Sequence, residues 1–275
     1  MKPFIDIFRF YIHSNIHVSI ASACLVLITG KLYKLDVLLP ALFVGFATFV
    51  SYNFISFLKK KNKVLKVDIS GWFTKFYNLL LFLFIVSVSS LLFISYRIGI
   101  SNLLVVLPFG LMTLFYMLPV FKFGKRKLSL REIPGIKIFS IAISWAGLSS
   151  FFPLLYTAHI LVVDDLLFFL QLILFVFVLT LPFDIRDVEF DKKSLRTVPQ
   201  VMGVVKTKIL GVFCLFVGLF LQFYLFGKNL FFSTVIIYVL LMFLLGFSSR
   251  KQSSYYASFW VESIPVFWYL LICFI

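Results

Sequence analysis

The stretch Asp184-Ile-Arg-Asp187-Val-Glu-Phe-Asp191-Lys-Lys-Ser-Leu-Arg-Thr197-Val-Pro199 contains four of the 11 acidic residues of this 275-residue chain. Three of them, Asp184, Asp187 and Asp191, are spaced i, i+3 and i+7. On a helix that turns about 100° per residue, this spacing places them within roughly 60° of one another. Arg186 and Glu189 fall on other faces. We therefore predict a single acidic stripe on one face of a helix.

The chain around this stretch has the composition of a membrane protein. Hydrophobic residues make up 62% of it and charged residues 13%, whereas about a quarter of a soluble domain is charged. A net charge of +15 in a soluble protein would suggest nucleic-acid binding. In a membrane protein, the basic residues instead have to be assigned to one side of the membrane or the other. We predict an all-α integral membrane protein with no nucleic-acid partner.

Nine apolar segments are each long enough to cross the roughly 30 Å hydrocarbon core of a bilayer. They lie near residues 11–30, 36–58, 76–95, 99–119, 136–157, 162–182, 205–226, 230–249 and 256–275. With a cytoplasmic N-terminus, only Lys31, Lys34, Arg97 and Lys228 of the 26 basic residues lie outside, as the positive-inside rule requires. We expect a single transmembrane domain over 1–275 in a bacterial cytoplasmic membrane, with the C-terminus outside.

The acidic stripe falls in the cytoplasmic loop region 183–204, near the basic loops 59–75 and 120–135. Carboxylates beside basic loops can hold a divalent cation and an anion together. Mg²⁺ prefers one or two carboxylates, several waters and substrate phosphate oxygens, so a diphosphate would complete such a site. The alternative is a solvated helix end that pairs with its own basic residues, Lys192, Lys193 and Arg196.

The stretch resembles the second aspartate-rich motif of the UbiA superfamily of intramembrane prenyltransferases, D-x-x-D-x-x-x-D followed by Thr-x-Pro. The nine helices and the turn Tyr116-Met-Leu-Pro119, with basic residues after it, are also similar to that family. The resemblance implies a helical bundle around a central lateral cavity. In that cavity, Mg²⁺ between two acidic motifs holds an isoprenyl diphosphate, and the allylic cation formed by ionisation alkylates an acceptor.

The family's first motif, N-D-x-x-D-x-x-x-D, aligns with residues 53–61, where only Asn53 is retained. Its three aspartate positions are Phe54, Phe57 and Lys61. Half of the metal cage is therefore missing, and we expect one Mg²⁺ rather than two. Lys61, with its neighbouring lysines, could place fixed positive charge on the diphosphate or could pair with Asp191 and close the site. The lysine run could also serve only as a cytoplasmic membrane anchor.

These observations predict a prenyltransferase-like protein that uses Mg²⁺ to transfer an isoprenyl group from an isoprenyl diphosphate to a hydrophobic acceptor, either aromatic or lipid. The expected metal-binding and catalytic residues are Asp184, Asp187 and Asp191. The expected substrate-binding residues are Asn53, Lys61, Lys125 and Arg126. Two alternatives are a non-catalytic relative that binds a polyprenyl lipid or a protein partner, and a small-molecule transporter. Against the transporter stand the odd helix count and the lack of matching broken helices.

Overall fold

The computed structural model describes residues 2–61, 67–123, 126–228 and 230–274. These residues form α1 (Lys2–His13), α2 (Ile16–Tyr33), α3 (Leu38–Lys61), α4 (Val67–Lys75), α5 (Tyr77–Ile98), α6 (Ile100–Met117), α7 (Ile136–Ser149), α8 (Phe151–Tyr156), α9 (Val163–Asp187), α10 (Val198–Phe226), α11 (Phe231–Phe247) and α12 (Ile264–Phe274). A small antiparallel hairpin joins α6 to α7 through β1 (Phe121–Phe123) and β2 (Arg126–Leu128). The all-α prediction is confirmed.

Several helices are long and apolar enough to span a bilayer, as expected of an integral membrane protein. By length and composition, seven segments of the described chain qualify: Ile16–Tyr33, Leu38–Lys60, Tyr77–Ile98, Ile136–Tyr156, Val163–Asp187, Val198–Phe226 and Tyr256–Phe274. Two shorter apolar helices, Ile100–Tyr116 and Phe231–Phe247, lie in the other two predicted spans. Nine crossings around a central cavity, and the orientation of the termini, stay predictions.

The first predicted span, 11–30, is wrong at its start. The chain breaks between α1 and α2, where Asn15 has the left-handed conformation with φ 64°. Asparagine visits this region more readily than most residues do. The apolar helix therefore begins at Ile16, and α1 is a separate helix. The loop predicted at 59–75 likewise contains a helix, α4.

Helix α9 forms much of the core, because it packs against α7, α10 and α11. Its fully buried Phe175 lies between two other buried aromatic side chains, Tyr238 and Trp268. A buried amide adds a polar link, since Gln171 Nε2 donates to Gln222 Oε1 of α10 at 2.7 Å. This packing fixes the position of the C-terminal end of α9, where the acidic stripe begins.

Side-chain acceptors determine where α9 and α10 begin. At the start of α9, Val162 N–H donates to Asp165 Oδ2 at 2.7 Å. The Thr197-Val-Pro199 segment starts α10: Thr197 N–H donates to Gln200 Oε1 at 3.1 Å, and Pro199 occupies the first turn, where its missing N–H costs little. Gln200 Nε2 also donates to the carbonyl of Asp191 at 2.9 Å. The turn after α9 is thereby held against the start of α10.

A close contact between α10 and α11 gives a testable stability prediction. A Cβ at Gly218 would lie 2.8 Å from Tyr238 Cε2, and the Tyr238 ring is fully buried. We expect Gly218→Ala to lower the free energy of unfolding by about 1–3 kcal/mol through overpacking. Gly246→Ala in α11 is the control, because no described atom lies within 4 Å of its added Cβ. Equal unfolding midpoints of the two variants in detergent would contradict this packing.

Candidate functional site

The acidic stripe spans the end of α9 and the turn that follows. Asp184 and Asp187 lie in the last helical turns, but α9 ends at Asp187, so the prediction that all three aspartates share one helix is wrong for Asp191. Asp191 still continues the helical path, because its N–H donates to the carbonyl of Asp187 at 2.8 Å. This bond has the i to i−4 pattern of a helix and keeps Asp191 close to the helix end.

A lysine that the motif does not contain bridges two of the three aspartates. Lys137 Nζ lies 2.9 Å from Asp184 Oδ1 and 2.7 Å from Asp191 Oδ2. The three side chains are only 13%, 5% and 12% exposed, respectively. Because Lys137 is the second residue of α7, this buried ion-pair cluster fastens the start of α7 to the end of α9. The sequence places Lys137 54 residues before Asp191, so no local pattern indicates the contact.

The other carboxylate oxygens of the stripe differ in their surroundings. Asp187 accepts two hydrogen bonds from its neighbour Arg186, at 2.8 Å from Nε and 2.9 Å from Nη2. Asp184 Oδ2 is buried and has no hydrogen-bond partner among the described residues. A buried carboxylate oxygen without a partner is costly. This oxygen is therefore the part of the stripe best suited to accept a cation or a donor from a ligand.

Asp184, Asp187 and Lys137 border a cavity of about 300 Å³ between α3, α6, α7 and α9. Lys59 and Arg131 add positive charge to its wall, and Glu262 adds a further carboxyl group. Much of the remaining wall is apolar or aromatic, including Tyr52, Ile55, Tyr116, Ile141, Trp145, Val176 and Leu179. The cavity thus combines charged groups with the kind of apolar surface that accommodates a lipid chain.

The ionisable groups of this cavity wall are balanced in formal charge. Three bases (Lys59, Arg131 and Lys137) are matched by three acids (Asp184, Asp187 and Glu262). A diphosphate would add several negative charges to this wall. Additional positive charge, such as a divalent cation provides, would then favour its binding.

The basic residues predicted to bind diphosphate are only partly described. Lys61 is the last residue of α3 and Arg126 begins β2, but the side chains of both lie outside the described residues, as does the whole of Lys125. Their proposed contacts, and the three alternatives for Lys61, stay predictions. The neighbouring Lys60 donates to the carbonyl of Ser70 at 3.3 Å. This lysine therefore anchors α4 to the end of α3.

Arg131, a basic residue of the loop 120–135, borders the cavity. It lies in a short 3₁₀ turn, Leu130–Glu132, that Ser129 begins. Glu132 Oε2 accepts from Ser129 N at 3.0 Å and from Ser129 Oγ at 3.1 Å. The hydrogen bond from the Ser129 backbone N–H is the main cause of the lowered pKa of the Glu132 carboxyl. The ionised Glu132 thus fixes the turn that carries Arg131.

The retained residue of the first motif is used in packing. Asn53 is 1% exposed, and its Nδ2 donates to the carbonyls of Ser14 and Phe49, both at 2.9 Å. A contact between Asn53 and a diphosphate stays a prediction, and it would require rearrangement of these bonds. Phe54 is 46% exposed, and the ring of Phe57 packs edge-on against Phe73. Two positions that align with acids of the first motif therefore carry apolar side chains.

A metal ion at the stripe would have to share its carboxylates with basic side chains. A metal ion between Asp184 and Asp191 would compete with the Lys137 ammonium for the same oxygens. An ion that used Asp184 Oδ2 and Asp187 would have two carboxylates, the number that Mg²⁺ prefers, and would compete with Arg186 for Asp187. In the described parts of the chain, no group of three His, Cys, Asp or Glu residues is placed to hold a metal ion.

A second cavity, of about 260 Å³, lies between α7, α9 and α10. Lys137, Ile138 and Asp184 border both cavities. The second is otherwise mostly apolar, with Arg196 and Thr197 among its polar residues. Thr197 Oγ1 is buried and lacks a hydrogen-bond partner in the part of the chain that the structure describes. The Lys137–Asp184 pair is therefore a shared wall of two cavities.

Comparison with solved structures identifies the fold. A UbiA homolog from Archaeoglobus fulgidus is similar with a TM-score of 0.61 and 14% identity, over 94% of this chain and 98% of that chain. A digeranylgeranylglyceryl phosphate synthase is similar with a TM-score of 0.54 and 17% identity, over 97% of each chain. No protein-family model and no curated protein sequence matches the chain. The structural likeness shows a UbiA-like fold, as the aspartate-rich stretch predicts.

Proposed function

We propose that the protein is an intramembrane prenyltransferase that transfers an isoprenyl group from an isoprenyl diphosphate to a hydrophobic acceptor, aromatic or lipid. One observation carries the proposal: Asp184, Asp187, Lys59 and Arg131 border one cavity, and the remaining wall of that cavity is largely apolar. A diphosphate head and a prenyl tail have this same division into charged and apolar parts. The UbiA-like fold supports the proposal by analogy.

In this proposal, Lys59 and Arg131 contact the diphosphate as it leaves. The allylic C–O bond breaks with its electron pair passing to the diphosphate. The acceptor then forms a bond to the allylic carbon and loses one proton, which a diphosphate oxygen can take. The aromatic faces of Tyr116 and Trp145 can stabilise the positive charge, and the apolar wall limits access of water to it.

The proposed cofactor is a single Mg²⁺ held by Asp184 and Asp187. When bound, it supplies positive charge that stabilises the leaving diphosphate. Asp191 acts through Lys137, which it helps to hold at the cavity wall. The proposed setting is a bacterial cytoplasmic membrane, from which both the isoprenyl diphosphate and the acceptor enter.

A binding experiment tests this function. Purified protein in lipid nanodiscs should bind radiolabelled farnesyl or geranylgeranyl diphosphate in the presence of Mg²⁺. Asp187→Asn should weaken this binding about tenfold or more, because it removes a proposed metal ligand. Asp164→Asn, at the opposite end of α9, is the matched control and should bind like the wild type. Unchanged affinity in Asp187→Asn would exclude the proposed metal role.

A second candidate is a non-catalytic protein that binds a polyprenyl lipid. The Lys137 bridge favours it, because that bridge already neutralises part of the stripe. The aromatic side chains of Phe54 and Phe57 in place of acids favour it as well. Mass spectrometry of cell extracts separates the two candidates. A prenylated product that disappears on gene deletion, and returns with the wild type but not with Asp184→Asn, would rule out the non-catalytic protein.

A further inference from the structure

We propose that Lys137 is a built-in cation of the acidic stripe: its ammonium takes the position between Asp184 and Asp191 that a metal ion would otherwise take. The inference deepens the proposed function and rests on it for the role of the diphosphate. The metal binding that the inference predicts can be measured without any substrate. The inference and the proposed function can therefore be tested separately.

Geometry carries the proposal. Lys137 Nζ lies within 3 Å of one oxygen from each of two carboxylates, Asp184 at 2.9 Å and Asp191 at 2.7 Å. Mg²⁺ binds carboxylate oxygens at about 2.0–2.1 Å, so an ion between these two oxygens would overlap the ammonium. Strong electrostatic repulsion would also oppose a second cation at this point. The metal and the ammonium therefore exclude one another here.

The same geometry predicts a low metal stoichiometry. Lys137 occupies Asp184 Oδ1 and Asp191 Oδ2, and Asp184 Oδ2 is left without a described partner. The two oxygens that hold the ammonium cannot bind an ion at the same time. In the proposed site, the ion uses Asp184 Oδ2 and displaces Arg186 from Asp187. Asp191 serves to position Lys137.

A fixed ammonium also has a consequence for substrate binding. Lys137 borders the cavity, and an ammonium has three N–H donors. The two carboxylates account for two of them. The third can be offered to a phosphate oxygen, so that Lys137 contributes positive charge to diphosphate binding without the uptake of an ion from solution.

Electron paramagnetic resonance with Mn²⁺, a paramagnetic substitute for Mg²⁺, tests the proposal in nanodiscs that contain no isoprenyl diphosphate. The wild type is expected to bind one Mn²⁺. Lys137→Met should bind one more, because Asp184 and Asp191 then face each other without a cation. The double variant Lys137→Met with Asp191→Asn should bind the same number as the wild type, because the extra site has lost a ligand.

A second comparison keeps the wild-type lysine and therefore does not depend on the folding of Lys137→Met. Asp191→Asn should weaken Mn²⁺ binding less than Asp187→Asn does, because Asp191 acts on the ion only through Lys137. Asp187→Asn should raise the dissociation constant for Mn²⁺ about tenfold or more, since loss of even an outer-sphere partner costs about 10- to 100-fold. Equal weakening by the two substitutions would make Asp191 a metal ligand and overturn the proposal.

The outcomes also separate this inference from the proposed function. No gain of Mn²⁺ in a folded Lys137→Met variant overturns the inference and leaves the proposed single Mg²⁺ intact. A wild type that binds no Mn²⁺, together with a Lys137→Met variant that binds one, supports the inference and contradicts the proposed Mg²⁺ site. Prenyl transfer itself is decided by the product analysis and not by these titrations.

Discussion

Replacing Lys137 by methionine is expected to lower the free energy of unfolding by about 3–5 kcal/mol, the usual cost of removing one partner from a buried ion pair. Asp184 and Asp191 are 5% and 12% exposed in the cluster, and without the ammonium two buried carboxylates would repel each other. The effect can be measured by denaturant unfolding of the detergent-solubilised protein at neutral pH.

Two controls show whether charge causes this loss. Lys192→Met removes an exposed lysine of the neighbouring turn and should change the stability by less than about 0.5 kcal/mol. The triple variant that adds Asp184→Asn and Asp191→Asn to Lys137→Met should recover much of the loss, because it leaves no unpaired charge in the cluster. A Lys137→Met variant as stable as Lys192→Met would show that the buried bridge contributes nothing.

The second large effect is expected at Arg131. Arg131→Ala should weaken the binding of farnesyl or geranylgeranyl diphosphate by about 10- to 100-fold. Hydrogen bonds to charged groups contribute roughly 1.5–3 kcal/mol, and each 1.4 kcal/mol is a factor of ten in affinity. Equilibrium binding of the radiolabelled lipid at a fixed Mg²⁺ concentration measures the change.

Lys122→Ala is the matched control for Arg131. Lys122 lies in β1 of the same loop region and is exposed, so its removal changes the net charge by the same amount. We expect the affinity of this variant to stay within about twofold of the wild type, the scale of a screened surface charge. If both variants lose affinity equally, the effect comes from overall charge and not from a contact in the cavity.

The architecture could largely be predicted from the sequence because its signals are local. Long apolar segments determine where helices lie, and each predicted span coincides with an apolar helix in the structure. Boundaries were less predictable. The break at Asn15 and the end of α9 at Asp187 depend on side-chain contacts and on conformations of single residues, which hydropathy does not report.

The site could be predicted only in its acidic half. Asp184 and Asp187 share one helix, so their spacing alone places them together. The sequence did not indicate Lys137 as a partner of the aspartates, because its contact with Asp191 joins residues 54 positions apart. That contact depends on how α7 packs against α9. Asn53 matches the motif by type and position. The sequence did not indicate that its amide also holds α3 against the break between α1 and α2.

Because the two cavities share a wall, a ligand that moves the Lys137–Asp184 pair would link their occupancies. Lys137 and Asp184 belong to both cavities, so a ligand that draws the ammonium away from Asp184 in one cavity changes the charge that the other cavity presents. Linkage is reciprocal, so whatever factor the first ligand applies to the affinity for the second, the second applies to the first. Two ligands that do not contact each other would thus change each other's affinity through one ion pair.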